Sequence, residues 1–580
     1  MLAQAPGDDE GGAVQLDTIT VEGIRPENSL GPVDGYLPSR TTTGTRIDAP
    51  IEELPLSIQS IPREVIEDTN ADRLSDVIGF ATGAATGNAF GDTNDAFLFR
   101  GFAAQIATDG AATGSLNAGI RQRDSVNLER VEVLRGPASA LYGQGAPGGV
   151  INLVRKRPFD NFAARFDTSM SSFTRLRHEV DINVPLSETG NVNARLVAAI
   201  EGTDSFQLRD FTDPFPETRV VFAPSLSFSP TTNTEVVLNT EYVRDASFFD
   251  RGLPLAEDGG FLVDIDQTFA DTDVGNTITN TIVANAEISH RFSDAISVRL
   301  FGGVDYNDFE GTQSEVALLS PFDVPDPLAG FIGLPQPLVE GETILRELEF
   351  RDFENTNYNI QADLNLSFST GPLSHDAILS VEYARAEEDD FVLRSDLATQ
   401  FDVTSISTPN EPTALSLDDL PVVTDRLATS EAIGLVAFDK ISWGERVHLL
   451  LGGRVDFLDQ SEVNGIGDDP EPVKETEFSP RAGVVVKPLD ALPLSAFFSY
   501  GESFEANSEL TASGALLPPQ EGRVFEGGLR YGFNEDRLAL TITAFDISLE
   551  NAPLAVEGTA FSTTSTQTAV PLTSGQGFRG

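Results

Sequence analysis

The 580-residue sequence has no cysteine, one tryptophan, two methionines, four lysines and four histidines. Without cysteine there is no disulfide, no thiolate nucleophile and no thiolate-bound zinc, which removes those chemistries without selecting a compartment. The few lysines sit beside abundant acid, and 38 basic against 90 acidic side chains leave a formal charge of −52. Such a chain repels phosphate backbones and anionic lipid, so nucleic acid is not expected as a partner. No run of about 18 apolar residues occurs, which excludes a transmembrane helix but not a membrane-crossing barrel. Nucleophile-elbow, P-loop and HExxH patterns are absent too, and no enzyme is expected.

What is present is turn and strand chemistry: 50 Gly, 39 Phe and 34 Pro point to many strands punctuated by turns, and the fold class is read as mainly β. Three zones follow one another. Residues 1–46 are rich in Gly, Asp, Thr and Pro and read as a flexible arm, with one β-branched island, LDTITVEG, over residues 16–23. Near its start, Ala3-Gln4-Ala5 has the small-x-small form of a signal-peptidase site and is read as a signal-peptide remnant. Residues 47–158 mix a helical stretch from Ile61 to Phe80 with short strands at Val131 to Leu134 and Val150 to Val154, which predicts a small α/β globule.

Beyond Pro158 apolar and polar residues alternate with period two. Val192, Ala194, Leu196, Ala198 and Ile200 share one face and Asn193, Arg195 and Glu201 the other; Ile296, Val298, Leu300, Val304 and Tyr306 oppose Ser297, Arg299 and Asp305. A soluble sandwich alternates too, but these runs are about 10 to 15 residues long where ordinary strands average about 5 to 6. Short turns alternate with long connections at Phe248 to Asn276, Glu310 to Glu347 and Ser395 to Thr424, a pattern that predicts an antiparallel transmembrane barrel with its long loops outside the cell.

Three strings, PLSIQSIPREVIED (Pro55 to Asp68), FLFRGF (Phe97 to Phe102) and LERVEVLRGPASALYGQGAPGGVINLVRKRP (Leu128 to Pro158), together resemble the plug of TonB-dependent outer-membrane receptors. LDTITVEG resembles the TonB box that such receptors present to the periplasm. TEYVRDASFFDRGLPL (Thr240 to Leu255), YGESFEANSEL (Tyr500 to Leu510) and EGRVFEGGLRYGF (Glu521 to Phe533) resemble barrel strands of the ferric-siderophore branch. The resemblance implies residence in the outer membrane of a Gram-negative bacterium and a barrel of about 22 strands filled by an N-terminal plug. It further implies active import of a ferric siderophore, driven when TonB pulls on Leu16, Asp17, Thr18, Ile19, Thr20 and Val21. A β-branched island in a flexible arm suits that role, because it can add as a strand to a partner's exposed edge; as an alternative, LDTITVEG is an edge strand of the plug. The expected partners are TonB, the ferric siderophore and outer-membrane lipid. No cofactor is expected, since the chelate brings its own iron.

Within the plug two stretches are candidate ligand-contacting loops, the first read from the Gly-rich neighbourhood Gly83 to Gly91 and the second, Gly101 to Asp124, implied by the resemblance. One carries Asn88 and Phe90, where Phe90 packs either on a chelate or in the core; the other carries Gln105, Arg121 and Arg123, whose donors either meet chelate oxygens or stand solvated. Tyr142 heads Tyr142-Gly143-Gln144-Gly145, read as an exposed loop or a plug hairpin, with the glycines supplying tight turns. Arg100 and Arg135 match plug arginines that in this family pair with two barrel carboxylates, and Glu526 matches one of those. In the strand around it, Phe525, Leu529 and Tyr531 face lipid while Val524, Glu526 and Arg530 face the lumen. The acidic runs at 387–390, 418–419 and 468–469 hold a hard cation such as Ca²⁺ or, more ordinarily, are solvated surface, so no metal site is assigned.

The competing readings are a TonB-dependent receptor for cobalamin, haem or a glycan, a signalling receptor, and a passive porin or adhesin. Haem is disfavoured by four histidines scattered at His178, His290, His375 and His448. Signalling in this family needs a folded domain before the box, where only fifteen residues precede Leu16. A porin would have no plug. From Asn161 onward about fifteen or sixteen strands can be counted. The barrel over residues 159–580 is therefore expected to be partial and C-terminally truncated, with open edges near Asn161 to Phe173 and the C-terminus, and unable to transport alone.

Overall fold

The computed structural model describes residues 31–569 except 32, 34, 113–118, 173, 205–216, 254, 256–258, 266, 270–273, 320–324, 326–338, 340–341, 396–401, 407–414, 490–491, 508–516, 534–537, 556–560 and 564–566. The TonB-box residues Leu16 to Val21 lie outside the described residues.

The plug is built on strands β1 (Ser57–Pro62), β2 (Phe97–Phe99), β3 (Phe102–Thr108), β4 (Leu128–Arg135) and β5 (Gly149–Arg155), in spatial order β1-β4-β5-β3-β2. Strands β4 and β5 pair antiparallel, with Val133 opposite Ile151, while β3 runs parallel to β5. Both central strands are buried on both faces, which is why their sequences read as continuous apolar runs broken by single polar residues. One face packs Val131, Val133, Ile151 and Leu153 under α1 (Arg63–Asp68) and α2 (Leu74–Ile78).

The single helical stretch expected from Ile61 to Phe80 is in fact these two short helices. The chain turns at Asn70, whose φ is 48°, and the Asp76 carboxylate accepts the Arg73 N–H at 3.0 Å to start α2 anew. The other sheet face, with α3 (Ser139–Tyr142), presents Leu134, Leu141, Tyr142 and Val150 to the barrel residues Ile378, Val436, Phe438 and Leu450.

Residues 40–46, expected to belong to the free arm, are instead part of the plug. Arg40–Thr41 pairs with Ala49–Pro50, and Thr41, Thr43 and Thr45 are buried. Their hydroxyls find acceptors and donors in the globule, a satisfaction that arm composition alone does not reveal.

Around the plug runs a seventeen-stranded antiparallel sheet. Setting aside the short pieces Asp402–Ser405 and Gln567–Ala569, fifteen strands remain: β6 (Ala163–Met170), β7 (Leu176–Pro185), β8 (Val192–Thr203), β9 (Glu217–Thr231), β10 (Thr234–Ser247), β11 (Thr277–Ser293), β12 (Ile296–Leu319), β13 (Thr343–Thr370), β14 (Leu373–Arg394), β15 (Val422–Trp443), β16 (Val447–Asn464), β17 (Val473–Val486), β18 (Leu494–Glu505), β19 (Gln520–Phe533) and β20 (Leu538–Glu550). Each pairs with its neighbour in sequence. Among the described residues no ladder joins β6 to the last strand.

The alternation resolves into two chemistries. Ile200, Phe222, Leu300, Ile360, Leu379, Leu435, Phe478, Phe498 and Leu529 point outward and are exposed, whereas Arg177, Arg219, Glu287, Asn307, Gln361, Glu382, Arg454 and Glu526 point inward and are buried. That is the arrangement of a barrel in lipid around a polar lumen. Trp443 stands exposed at the end where the turns are short, as a membrane-interface anchor would. The connection expected over Glu310 to Glu347 is partly strand: Glu310 pairs with Asp352 and Leu319 with Ile344, so β12 and β13 extend far past the roughly 9 to 11 residues that cross a bilayer.

Gly149 has a φ of +124°, and a Cβ there would collide with the carbonyl oxygen of Leu134. Gly149→Ala is expected to destabilise the plug by at least about 1 to 3 kcal/mol. Hydrogen exchange should show it as lost protection in β4 and β5 with the barrel ladders unchanged.

Candidate functional site

The arm enters the plug through one buried carboxylate. Glu132 on β4 is fully buried and accepts hydrogen bonds from Thr41 Oγ1 at 2.7 Å, from Thr43 Oγ1 and from Arg130 Nε at 2.7 Å. Asn152 on β5 donates to Thr43 Oγ1 at 2.8 Å, and the Tyr142 hydroxyl donates to the Thr43 carbonyl at 3.1 Å. Arg46 then leaves the plug for the wall, donating to the Leu141 carbonyl and, at 2.7 Å, to Glu382 Oε2 on β14. Arg454 on β16 shares that carboxylate oxygen at 2.9 Å.

A ring of charge pairs also joins the two bodies. Asp124 meets Arg177 of β7 at 2.8 and 2.9 Å, and Arg73 meets Glu201 of β8 at 2.8 Å. Arg157 forms a bidentate pair with Glu287 of β11 at 3.0 and 3.1 Å, and Arg121 another with Asp305 of β12 at 2.6 Å on both arms. Burial alone would raise the Asp124 carboxyl, but the Arg177 and Arg73 charges overcome it and hold the group well below the usual carboxylate range.

On the far wall Arg100, at a positive φ of 56°, donates to Glu526 of β19 at 3.0 and 3.4 Å, with both side chains buried. The guanidinium also lies 4.1 Å from the centre of the Phe545 ring. Arg135 lies nearby but spends its donors on the Thr82 carbonyl at 2.9 Å, on Gln59 Oε1 and on Ser57 Oγ. No carboxylate among the described residues forms an ion pair with it. Burial, with the Arg100 charge adding to it, pulls its guanidinium down to about 10.

The remaining candidates fall into two groups. Arg121 is committed to Asp305; Arg123 is buried and donates from its backbone N–H (2.8 Å) and its guanidinium (3.3 Å) to Asp95; Tyr142 is buried beneath the arm. Gln105 sits within β3 and donates to the Gln144 carbonyl. In this arrangement each of the four spends a donor on a protein acceptor. Each donor reaches an acceptor brought close only by the fold.

Asn88 and Phe90, by contrast, stand at the mouth of the barrel, the end carrying the long loops. Asn88 Oδ1 accepts the Phe90 N–H at 3.0 Å, and Phe90 takes a φ of 46°. Its ring is edge-on to Phe249 at 5.2 Å and to Phe309 at 6.2 Å, with Arg251 and Arg351 over its faces at 4.9 and 5.1 Å. Sequence reasoning missed Arg46, Glu132, Glu382 and Arg351 as site residues. Only inward alternation could have flagged Glu382 and Arg351, and nothing local marks Arg46.

The family model for the TonB-dependent receptor plug domain matches residues 50–150, and that for the TonB-dependent receptor-like β-barrel matches residues 222–578. The chain belongs to the TonB-dependent receptor family. The metal-pseudopaline receptor of Pseudomonas aeruginosa is 31% identical over 548 residues, covering 93% of this chain and 73% of that relative. The ferrichrome outer membrane transporter/phage receptor of Escherichia coli is 24% identical over 576 residues, 94% of this chain and 74% of the relative. Among solved structures, the ferripyoverdine receptor of the Pseudomonas aeruginosa outer membrane bound to ferripyoverdine superposes with a TM-score of 0.77 at 20% identity, covering 91% of this chain and 69% of that one. The ferric preacinetobactin receptor of Acinetobacter baumannii gives 0.75 at 19% identity, over 92% and 77%. The receptor is thus an outer-membrane protein of a Gram-negative bacterium, with its short turns toward the periplasm.

Two outcomes are expected for the receptor. Glu526→Ala strands the buried Arg100 and should cost about 3 to 5 kcal/mol of plug seating, read as increased hydrogen exchange in β2. Asp124, whose pKa is depressed, contributes stability that is present above the ordinary carboxylate value of about 4 and disappears only well below it. Plug seating near β7 should therefore persist on titration from neutral pH to about pH 4, and exchange measured across that range checks it.

Proposed function

We propose that this receptor imports a metal chelate of the ferric-siderophore class, bound at the barrel mouth and moved inward when TonB pulls on Leu16 to Val21. The carrying observation is the cluster of Phe90, Phe249, Arg251 and Arg351 at the plug apex. Aromatic faces suit the apolar frame of a chelate, and guanidinium groups suit its oxygen donors and net negative charge. Arg351 also lies 3.5 Å from Glu349 and 3.7 Å from Asp390, so what the two arginines offer a chelate is directional donors for its oxygens. The names of two relatives, a metal-pseudopaline receptor and a ferrichrome transporter, support the reading, and the first extends it to chelates of metals other than iron. A resident metal site plays no part in this reading, because the chelate carries its own ion. The Arg100–Glu526 pair serves as the lock that returns the plug to its seat, with Arg135 held beside it.

A thermal-shift panel of ferric siderophores and of metal-loaded pseudopaline tests the ligand class: one saturable hit supports it, and a hit on cobalamin, haem or a glycan alone replaces it. Phe90→Ala with Arg351→Ala is expected to weaken that affinity about tenfold, the loss of roughly 1.4 kcal/mol of cation–π and packing contact. For coupling, Ile19→Pro in the full-length receptor should abolish energised uptake and leave chelate affinity unchanged, because proline removes a backbone donor from the strand that TonB would pair with. Undiminished uptake by that variant would discard the box assignment.

A further inference from the structure

Two neighbouring strands of the wall part near their mouth-side ends. Among the described residues the β17–β18 ladder runs from Val486–Ala496 to Arg481–Gly501 and stops there. Each strand goes on pairing with its other neighbour, β17 with β16 as far as Gln460–Val473 and β18 with β19 as far as Glu505–Gln520. A cavity of about 40 Å³ lies in the fork, lined by Phe478 and Ser479 on one side and Ser503 and Phe504 on the other.

Beyond the fork the plug takes the place of β17. The Phe504 carbonyl accepts the Gly145 N–H at 2.6 Å, Ser139 Oγ accepts the Phe504 N–H at 3.3 Å, and Gln144 Oε1 accepts the Ala506 N–H at 3.3 Å. The backbone groups of one residue leave an antiparallel strand on one side, and those of alternate residues on the other. Phe504 and Ala506 therefore turn toward the edge that β17 would fill, and the plug apex caps that edge instead. The ring has turned with the strand. By alternation Phe504 belongs with Phe498, which is 51% exposed on the lipid face, yet Phe504 is 4% exposed and lines a small cavity with Tyr142 and Gly143 of the apex.

Extending the existing register places Pro480 opposite Glu502, Ser479 opposite Ser503 and Phe478 opposite Phe504. The first is a hydrogen-bonding position, where proline has no N–H to give, and the ladder ends there. Glu477 would stand opposite Glu505, a like-charged pair that also opposes closure. Other terms favour it. Phe504 would exchange two backbone bonds with Phe478, and Ala506 would pair with Thr476, so the three bonds to the plug are replaced by at least as many to β17. Ser503 Oγ, buried without a hydrogen-bond partner among the described residues, would face Ser479. The Phe504 ring would lie across from that of Phe478, which is 61% exposed. The two arrangements are thus close in bond count, the condition for a strand with two positions.

We propose that the mouth-side end of β18 is a two-position strand, clipped to the plug apex in this structure and zipped onto β17 when the apex loop from Ser139 to Gly145 withdraws. The connection from β18 to β19 starts at Ala506, so the exchange carries the position of the plug apex to the outer rim of the receptor. Pro480 keeps the seam weak enough to open, and the apex holds it open. The inference goes beyond the transport reading and does not depend on which ligand is carried.

Ser139→Ala with Gln144→Ala removes the acceptors of the Phe504 and Ala506 N–H groups. Losing bonds ordinarily speeds hydrogen exchange, but here the Thr476 and Phe478 amides should exchange about tenfold more slowly than in the unsubstituted receptor, because they gain the Ala506 and Phe504 carbonyls. Unchanged or faster exchange, with β4 and β5 still protected, overturns the proposal. Pro480→Ala acts from the wall and leaves the plug intact; it restores the donor opposite Glu502 and should slow the same amides by about threefold. Unchanged exchange in this variant overturns the proposal too, and it decides alone if the first pair of substitutions unseats the whole plug. The sequence contains no cysteine, so Ser479→Cys with Ser503→Cys supplies a single candidate bridge at a close, non-hydrogen-bonded pair of the zipped register. Under mild oxidation that bridge should form about tenfold faster when Ser139→Ala and Gln144→Ala are also present. Equal rates on the two backgrounds overturn the strand exchange.

Discussion

An inward-pointing charge in a filled barrel has no bulk water to face, and its counter-charge must come from the body that fills the barrel or from a neighbouring strand of the wall. This constraint organises the receptor. Arg177, Glu201, Glu287, Asp305 and Glu526 on the wall each meet a plug side chain of opposite sign within hydrogen-bond distance. Buried pairs of this kind add little net stability relative to apolar packing, yet breaking one by removing a partner is costly. Charge pairing therefore sets where the plug sits more than how tightly it adheres. An apolar interface of the same size would hold as firmly but would tolerate many rotations of the plug, whereas five matched pairs spread around the wall permit one.

The same constraint decides what could be read in the sequence. Strand existence and the inward or outward sense of each side chain follow from period two, so the lumenal position of Glu526 and the lipid position of Leu529 were legible at once. Partnership was not. Arg121 and Asp305 are 184 residues apart, and nothing near Arg121 distinguishes a guanidinium that will meet a wall carboxylate from one that will meet a chelate. Family likeness could name the segment that carries Arg121 and Arg123 but could not report their burial, which depends on where the plug stops against the wall. Residues 40–46 escaped for a related reason. Their Thr- and Gly-rich composition is that of a solvated arm, and only the buried carboxylate of Glu132 on a distant strand converts it into an ordered turn. Phe90 was left open between core and ligand surface because its surroundings combine both: it packs on Phe309 and Phe249 and is also covered by guanidinium groups from a loop and a strand of the barrel.

The wall divides into sectors of different mechanical character. The dry patch against α3 resists separation through exposure of apolar surface, which is spread over many contacts and has no single breaking point. The charged sectors resist through a few directional bonds that fail one at a time. On the inner face of β13, Asn355, Asn357, Asn359 and Gln361 make their side-chain hydrogen bonds within the wall, and Asp363 at the lower end faces Arg46 at 3.8 Å.

How the arm can be drawn out without unravelling the globule follows from the chemistry of Glu132. Three donors share its carboxylate: the hydroxyls of Thr41 and Thr43 and the guanidinium of Arg130. A buried carboxylate that lost its sole partner would destabilise the central strand β4 severely. Here the two threonines can depart and leave Arg130 of β4 still bonded to Glu132 at 2.7 Å, although its bond to the Gly31 carbonyl of the arm, at 2.8 Å, goes with them. The side chain of Asn152, released from Thr43, remains bonded to the Gly110 N–H through its Oδ1 at 2.9 Å. Glu132 and Asn152 thus keep a partner within the plug after the arm has gone, whereas the Tyr142 hydroxyl loses its bond to the Thr43 carbonyl. The Thr41 and Thr43 hydroxyl bonds end on a carboxylate and are charge-assisted, of about 1.5 to 3 kcal/mol each, while the Arg130–Glu132 pair that stays behind is charged on both sides. A steady pull on the arm therefore removes residues 40–46 in sequence before it loads the β4–β5 core, and the first charged contact it must break on the wall is that of Arg46 with Glu382.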